Sequence, residues 1–285
     1  MEILLARDLG FCFGVRRAVE MMEEASERLG GMTSLGSTVH NRQVVERLKE
    51  QRIDVIASLE EVDERPVAIT AHGVSEAVML ELEQRDIPVV DTTCPIVTRS
   101  QQWAKRLVED GFAVIVFGDP DHKEVRGVLG WAEGKAFAVP NIDALDALPD
   151  DLPSRIGVLS QTTETEAHFA EFVRALLERR MDRISELRVI NTLCNATTSQ
   201  QAAAQELAHQ VDLMIVIGGR ESANTRHLAE VAREEGVETH HVESADELRT
   251  EWLDGHERVG VTAGASTPDD AIDAVVARLR ELAPA

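Results

Sequence analysis

Asp91-Thr92-Thr93-Cys94-Pro95-Ile96-Val97 leads into an amphipathic stretch through Trp103 and Leu107, then into the apolar run Ala113-Val114-Ile115-Val116-Phe117 and Gly118. A proline directly after the cysteine suits the first turn of a helix, where its missing N–H costs nothing. The short run of Ala, Val, Ile and Phe suits a strand covered on both faces. The reading is turn, helix, strand, with a cysteine at the mouth of the helix.

The same order recurs on either side. Cys12-Phe13-Gly14-Val15-Arg16-Arg17-Ala18 opens an amphipathic helix that arrives at Leu35-Gly36, and Asn191-Thr192-Leu193-Cys194-Asn195-Ala196-Thr197 opens one that reaches Leu213–Ile217 and Gly218. From Cys12 to Gly36, from Cys94 to Gly118 and from Cys194 to Gly218 the interval is 24 residues. Four residues past each glycine stand His40, His122 and Ser222, and six past stand Arg42, Glu124 and Asn224. Each unit then shows a further helix, a second short strand and a small or hydroxyl-rich turn: Thr70-Ala71-His72-Gly73, Ser160-Gln161-Thr162-Thr163 and Ala263-Gly264-Ala265-Ser266-Thr267. Strands alternating with helices at these lengths predict an α/β fold of three similar units, 1–90, 91–190 and 191–285, each with a small, mostly parallel sheet. The C-terminal tail is expected to return toward the first unit. Right-handed crossovers bring the strand-to-helix turns of a unit to one sheet edge, where open α/β sheets bind ligands. A pseudo-threefold trefoil with those edges inward would bring Cys12, Cys94 and Cys194 to one centre.

Three cysteines this far apart form neither a disulfide framework nor a CxxC knuckle. Their common register instead suggests a shared metal site. Helix N-termini favour thiolates, the ligand form. Asp91 and Asn191, three residues before their cysteines, are placed to accept from turn amides. Two metals fit three thiolates: zinc with a histidine as fourth ligand, or an iron–sulfur cluster with one iron open.

A formal net charge of −22 argues against a nucleic-acid partner. It also requires that any anion site be built locally from helix N-termini, imidazoles and hydroxyls. No apolar run approaches the length of a membrane span, and the N-terminus shows no basic region or cleavage site, so a cytoplasmic protein is expected. No GxGxxG follows the first strand, which disfavours a dinucleotide-binding dehydrogenase. His40, His72, His122, Thr162, Thr163, Ser222, Asn224 and Ser266 all fall on the expected ligand edge. Glu124 is the carboxyl group among them and a candidate general acid. Arg16 and Arg17 read as a solvated helix face, and the remaining histidines as surface or packing residues.

The blocks around Cys12, Cys94 and Cys194, together with Thr262-Ala263-Gly264-Ala265-Ser266-Thr267-Pro268, resemble the 4-hydroxy-3-methylbut-2-enyl diphosphate reductase family from Leu4 to about Leu282. The resemblance implies a monomeric trefoil enzyme that reductively removes an allylic hydroxyl, giving isopentenyl and dimethylallyl diphosphate in the last step of the non-mevalonate pathway. It implies one [4Fe–4S] cluster held by Cys12, Cys94 and Cys194, with an open iron for the substrate hydroxyl. Ferredoxin or flavodoxin would supply electrons, with NADPH upstream. His40, His72, His122, Ser222, Asn224 and Ser266 would hold the diphosphate, and Glu124 would deliver protons with Thr162 in the same relay. Thr197 is expected to line the pocket. Where the family has Ser-Ser-Asn followed by Ser or Thr, this chain reads Ser222-Ala223-Asn224-Thr225, one hydroxyl short in the anion pocket.

Overall fold

The computed structural model describes residues 1–39 and 41–283. In chain order the elements are β1 (Glu2–Leu5), α1 (Phe13–Leu29), β2 (Met32–Leu35), α2 (Arg42–Glu50), β3 (Ile53–Ile56), β4 (Val67–Ile69), α3 (Glu76–Gln84) and β5 (Val89–Asp91). There follow α4 (Pro95–Glu109), β6 (Ala113–Phe117), α5 (Lys123–Gly130), β7 (Ala136–Val139), β8 (Arg155–Ser160), α6 (Glu166–Arg180) and β9 (Glu186–Val189). The last stretch holds α7 (Asn195–Ala208), β10 (Leu213–Ile217), α8 (Ala223–Glu234), β11 (Glu238–Val242), β12 (Arg258–Ala263) and α9 (Asp269–Leu282).

Among the described residues these strands form three four-stranded sheets, in the orders β3-β2-β4-β5, β7-β6-β8-β9 and β1-β12-β10-β11. Every pairing is parallel. The α/β class expected from the sequence is borne out. The order is the same in each sheet once β1 is placed as the fourth strand after β10, β11 and β12. The strand that precedes Cys12 thus pairs with β12, Leu4 opposite Gly260, and completes the sheet of the C-terminal stretch. Each cysteine follows an edge strand: β1, β5 or β9.

The apolar runs are explained by cover on both faces. In β6, Ala113, Ile115 and Phe117 pack with Phe169, Phe172 and Leu176 of α6. Val114 and Val116 face the other way, onto Leu107 of α4 and Val125 and Val128 of α5. β10 repeats the arrangement, with Leu213, Ile215 and Ile217 against Ile272, Val275 and Leu279 of α9, and Met214 and Val216 against Ala204, Leu207 and Leu228. Each such Val, Leu, Ile, Met or Phe side chain contributes about 1.5–3 kcal/mol by leaving water. A parallel sheet sandwiched this way has no polar face to alternate, which is why the runs are continuous.

Contacts gather the described residues into two compact units. One holds residues 1–16, 39–47 and 195–283, the other 17–38 and 48–194. The sheet containing β10 lies in the first of these units and the other two sheets in the second.

Candidate functional site

The three cysteines form no disulfide among the described residues and are partly buried, and each is held by the same backbone device. The Cys94 amide donates to Ala71 O at 3.0 Å, the Cys194 amide to Thr162 O at 2.9 Å, and the Cys12 amide to Ala265 O at 3.2 Å. Ala71, Thr162 and Ala265 occupy matching places in the turns after β4, β8 and β12. The residues that follow them, His72, Thr163 and Ser266, are therefore equivalent in the repeat. The Asx turns before the second and third cysteines form as expected. Asp91 Oδ1 accepts from the Thr93 amide at 2.9 Å, and Asn191 Oδ1 from the Leu193 amide at 3.0 Å.

A second device also keeps register. The residue five past each cysteine reaches the loop before the next cysteine. Arg17 Nη1 donates to Thr93 O at 3.2 Å and Thr92 O at 3.5 Å, ahead of Cys94. Arg99 Nη2 donates to Asn191 O at 3.3 Å, ahead of Cys194. Ser199 Oγ donates to Asp8 Oδ2 at 2.7 Å, ahead of Cys12. Arg17 is thus not the solvated helix-face residue that its sequence context suggested. It is partly buried and bonded to backbone.

In the larger unit the chemistry gathers around Glu124, which is 3 % exposed at the second position of α5. Its carboxylate accepts from Thr162 twice, N–H to Oε1 and Oγ1–H to Oε2, both at 2.7 Å. Burial pushes the Glu124 carboxyl above the ordinary carboxylate range, and the two Thr162 bonds pull it partly back. His122 caps α5, its Nδ1 accepting the Glu124 amide at 3.3 Å. An accepting Nδ1 leaves Nε2 as the protonated nitrogen of the neutral ring. The His72 ring meets that of His122 edge-on at 5.5 Å, and Thr70 Oγ1 lies 3.3 Å from His72 Nδ1. The Cys94 thiol is raised by burial, lowered by the amides of Ile96 and Val97, and raised again by Cys194 and Glu124. For Cys94 the helix N-terminus does not produce the lowered pKa expected from sequence, because desolvation outweighs it.

In the other unit, Ser222 is 5 %, Asn224 3 % and Ser266 7 % exposed. Ser222 caps α8 by accepting the Thr225 amide at 3.3 Å. The positions four past the repeat glycines are helix caps in both His122 and Ser222. Ala223 is buried at the first position of α8, and Thr197, 4 % exposed, lies in the first turn of α7. Four buried side-chain oxygens of this unit have no partner among the described residues: Asn224 Oδ1, Thr225 Oγ1, Thr262 Oγ1 and Ser266 Oγ. Thr225, Thr262 and Gln200 were not singled out from sequence, although Thr225 continues the Ser222 motif and Thr262 opens the Ser266 turn. His40 lies outside the described residues. Arg42 is exposed and pairs with Glu46 at 2.8 Å.

Of the histidines expected to be peripheral, His241 bonds Gly218 O at 2.8 Å, and burial lowers its pKa. His240 stacks on Trp252 with ring centroids 3.9 Å apart. Among the described residues no helix is long and apolar enough to cross a membrane. Among them, too, no group of three or more His, Cys, Asp or Glu side chains forms a site for a single metal ion.

The thiol chemistry suits an iron–sulfur group. Cys12 Sγ accepts the Val15 amide at 3.4 Å. An N–H to sulfur bond of this kind offsets the negative charge of a ligating thiolate and tunes a cluster's potential.

Comparison with known proteins agrees with these features. The chain is 45 % identical over 282 residues to the 4-hydroxy-3-methylbut-2-enyl diphosphate reductase of Dehalococcoides mccartyi (strain CBDB1), covering 99 % of each chain. It is 44 % identical over 281 residues to the enzyme of that name from Geobacter sulfurreducens, covering 99 % of this chain and 98 % of that one. Among solved structures, the E-1-hydroxy-2-methyl-but-2-enyl-4-diphosphate reductase of Plasmodium falciparum superposes with a TM-score of 0.91 at 26 % identity, over 98 % of this chain and 87 % of that one. A structure of (E)-4-hydroxy-3-methyl-but-2-enyl diphosphate reductase, described as the terminal enzyme of the non-mevalonate pathway, superposes with a TM-score of 0.71 at 36 % identity, over 99 % and 100 % of the two chains. The resemblance read from the cysteine motifs is borne out: the profile of the LytB protein family matches residues 3–280, and the chain belongs to that family.

Proposed function

We propose that this chain is a 4-hydroxy-3-methylbut-2-enyl diphosphate reductase. It removes the allylic hydroxyl reductively and gives isopentenyl and dimethylallyl diphosphate. Two electrons and two protons are consumed, the C–O bond breaks, a C–H bond forms and water leaves. Cys12, Cys94 and Cys194 hold one [4Fe–4S] cluster. When bound, that group would supply the electrons and a Lewis-acidic iron for the hydroxyl oxygen.

The observation that carries the reading is the Glu124–Thr162–Cys194 connection. A buried carboxyl whose pKa is raised by desolvation holds its proton to higher pH than an ordinary carboxylate and can serve as a proton source. Thr162 fixes both of its oxygens and, through its own carbonyl, holds the amide of Cys194. The proton donor and a thiol ligand are thus set by one residue. Glu124 delivers a proton to the departing hydroxyl, with the Thr162 Oγ1–H in the same relay. His40, His72, His122, Ser222, Asn224 and Ser266 hold the diphosphate. The support for this is the His122 imidazole that caps α5 beside Glu124, and buried hydroxyls that have no partner among the described residues. Fixing the diphosphate positions the hydroxymethyl end, replacing a chance encounter by a bound geometry.

We read the enzyme as a cytoplasmic monomer that takes electrons from ferredoxin or flavodoxin, with NADPH upstream. The test is anaerobic purification with iron and sulfide counts, followed by turnover of the allylic diphosphate with a reductant. Brown protein with about four irons per chain and release of both C5 diphosphates is the expected result. Colourless protein without turnover removes the reading.

A further inference from the structure

Gln200 lies in α7, six residues after Cys194, and is 4 % exposed. Its side-chain amide is used at both ends. Nε2–H donates to Gly10 O at 2.8 Å, and Oε1 accepts from Asn224 Nδ2–H at 2.9 Å. These contacts fix the orientation of both amides by elimination. A backbone carbonyl only accepts, so the end of Gln200 turned to Gly10 has to be its NH2 group. The other end is then a carbonyl, and Asn224 has to present its own NH2 to it. Asn224 is left with Oδ1 as the end not engaged by Gln200. That oxygen is buried and has no partner among the described residues. Thr225, Thr262 and Ser266 contribute buried hydroxyls in the same condition. Buried polar atoms are nearly always paired, so Asn224 Oδ1, on a residue read as diphosphate-binding, is left for a polar ligand to complete.

We propose that Gln200 is a positioning residue that turns the carbonyl end of Asn224 toward the anion, so that the pocket selects an oxyanion carrying an O–H over one that has only acceptors. The inference rests on the reading of Asn224 and Ser266 as diphosphate-binding residues. The hydroxyl of Ser266 can donate to any oxyanion. Asn224 Oδ1 only accepts, so it bonds a P–OH group and repels a fully ionised oxygen. A phosphate near neutral pH carries such a proton and sulfate does not.

The test uses the anaerobically prepared holoenzyme at one fixed pH. Inorganic phosphate and sulfate are compared as competitors of the allylic diphosphate, and their binding is measured by calorimetry. The wild type is expected to prefer phosphate by about tenfold, the worth of one hydrogen bond to a charged ligand. In Gln200→Met the Asn224 amide is free to turn its NH2 to the anion. The preference is expected to collapse toward one, with sulfate binding gained rather than all binding lost. A merely structural role would weaken both anions alike. Gln200→Asn, too short to reach both partners, provides the same readout should the methionine variant not fold. Lack of preference in the wild type overturns the proposal, as does a preference that survives in the folded Gln200 variant. Asn224→Ala separates the two levels. If it leaves both anions and the diphosphate bound as in the wild type, the assignment of Asn224 to the pocket is wrong. If it abolishes the preference while the Gln200 variant keeps it, only the role of Gln200 is wrong.

Discussion

Glu124 accepts both hydrogen bonds that Thr162 has to offer, from its amide N–H and from Oγ1–H, each at 2.7 Å. The carboxyl is buried, and desolvation favours its protonated form. Replacing Glu124 by Gln preserves the size of the group and removes the acid. We expect Glu124→Gln to retain iron at the wild-type level and to lower kcat by at least about 100-fold, as for a lost general acid. Iron analysis alongside single-turnover kinetics checks this, and turnover near wild type removes Glu124 from the mechanism.

The raised Glu124 pKa also sets the sign of a pH effect. The folded state holds this proton to a higher pH than the unfolded chain does. Its stabilising contribution is complete below the unfolded value and is lost as pH rises through the folded one. Stability of the cluster-free protein should therefore fall with rising pH above the ordinary carboxylate range, and Glu124→Gln should flatten that fall. Both Thr162 bonds pull the carboxyl pKa down. Thr162→Val removes one of them, so the basic limb of the pH–rate profile should move to higher pH. A limb that stays in place, or moves down, contradicts the assignment of Glu124 as the acid.

Arg17, Arg99 and Ser199 bond the loops ahead of the successive cysteines. If these bonds hold the ligand loops, Arg17→Met, Arg99→Met and Ser199→Ala should lose iron faster on exposure to air. Arg17 reaches two carbonyls from a partly buried position, whereas the Arg99 bond is exposed. Arg17→Met should therefore show the larger effect, about tenfold in the rate of loss, the equivalent of one hydrogen bond to a charged group. Time courses of iron retention decide between this and a purely surface role.

Much of the architecture was legible because the period of the chain is physical. Val114 and Val116 face one helical layer and Ile115 and Phe117 the other, and a sandwiched strand needs apolar residues at both. The cysteine register was legible because each turn pins its cysteine amide to an equivalent carbonyl. Other features were not legible. That β1 pairs with β12 is a long-range contact that no local pattern encodes. Arg17 looked solvated because an arginine on a helix face shows nothing of the carbonyls across from it. The Cys94 thiol was read from its helix N-terminus, an effect visible in sequence. The stronger effect, burial, depends on what packs over it. Gln200 escaped notice because a buried amide carries no sequence signal until both of its partners are in place.

Gly218 follows β10 at φ 146°, and a Cβ there would lie 2.7 Å from both Thr225 Oγ1 and Thr267 Oγ1. Gly30, at φ 78°, has nothing within 4 Å of that position. Both should resist alanine through backbone strain, but only Gly218→Ala adds a collision in a buried polar cluster. We expect a loss of roughly 1 kcal/mol for Gly30→Ala and roughly 3 kcal/mol for Gly218→Ala. Denaturant titration of the two variants measures the difference, and equal losses would mean that the turn relaxes around the added methyl.

Ala223 stands between Ser222 and Asn224 at the first position of α8, buried, where the resemblance read from the sequence implies a second serine. A hydroxyl at this place adds a donor at a helix N-terminus, which already favours an anion. Ala223→Ser adds little volume, so packing should tolerate it. A hydrogen bond from a neutral donor to a charged group is worth about 1.5–3 kcal/mol. The lower figure corresponds to about a tenfold gain in affinity for the diphosphate. The gain should appear as a lower KM with kcat unchanged, because a contact made equally in ground and transition states moves only binding. If KM stays fixed, either a water already fills the place of the missing hydroxyl or the first turn of α8 does not face the diphosphate. Calorimetry with pyrophosphate separates the two, since a displaced water leaves the affinity unchanged but alters the enthalpy.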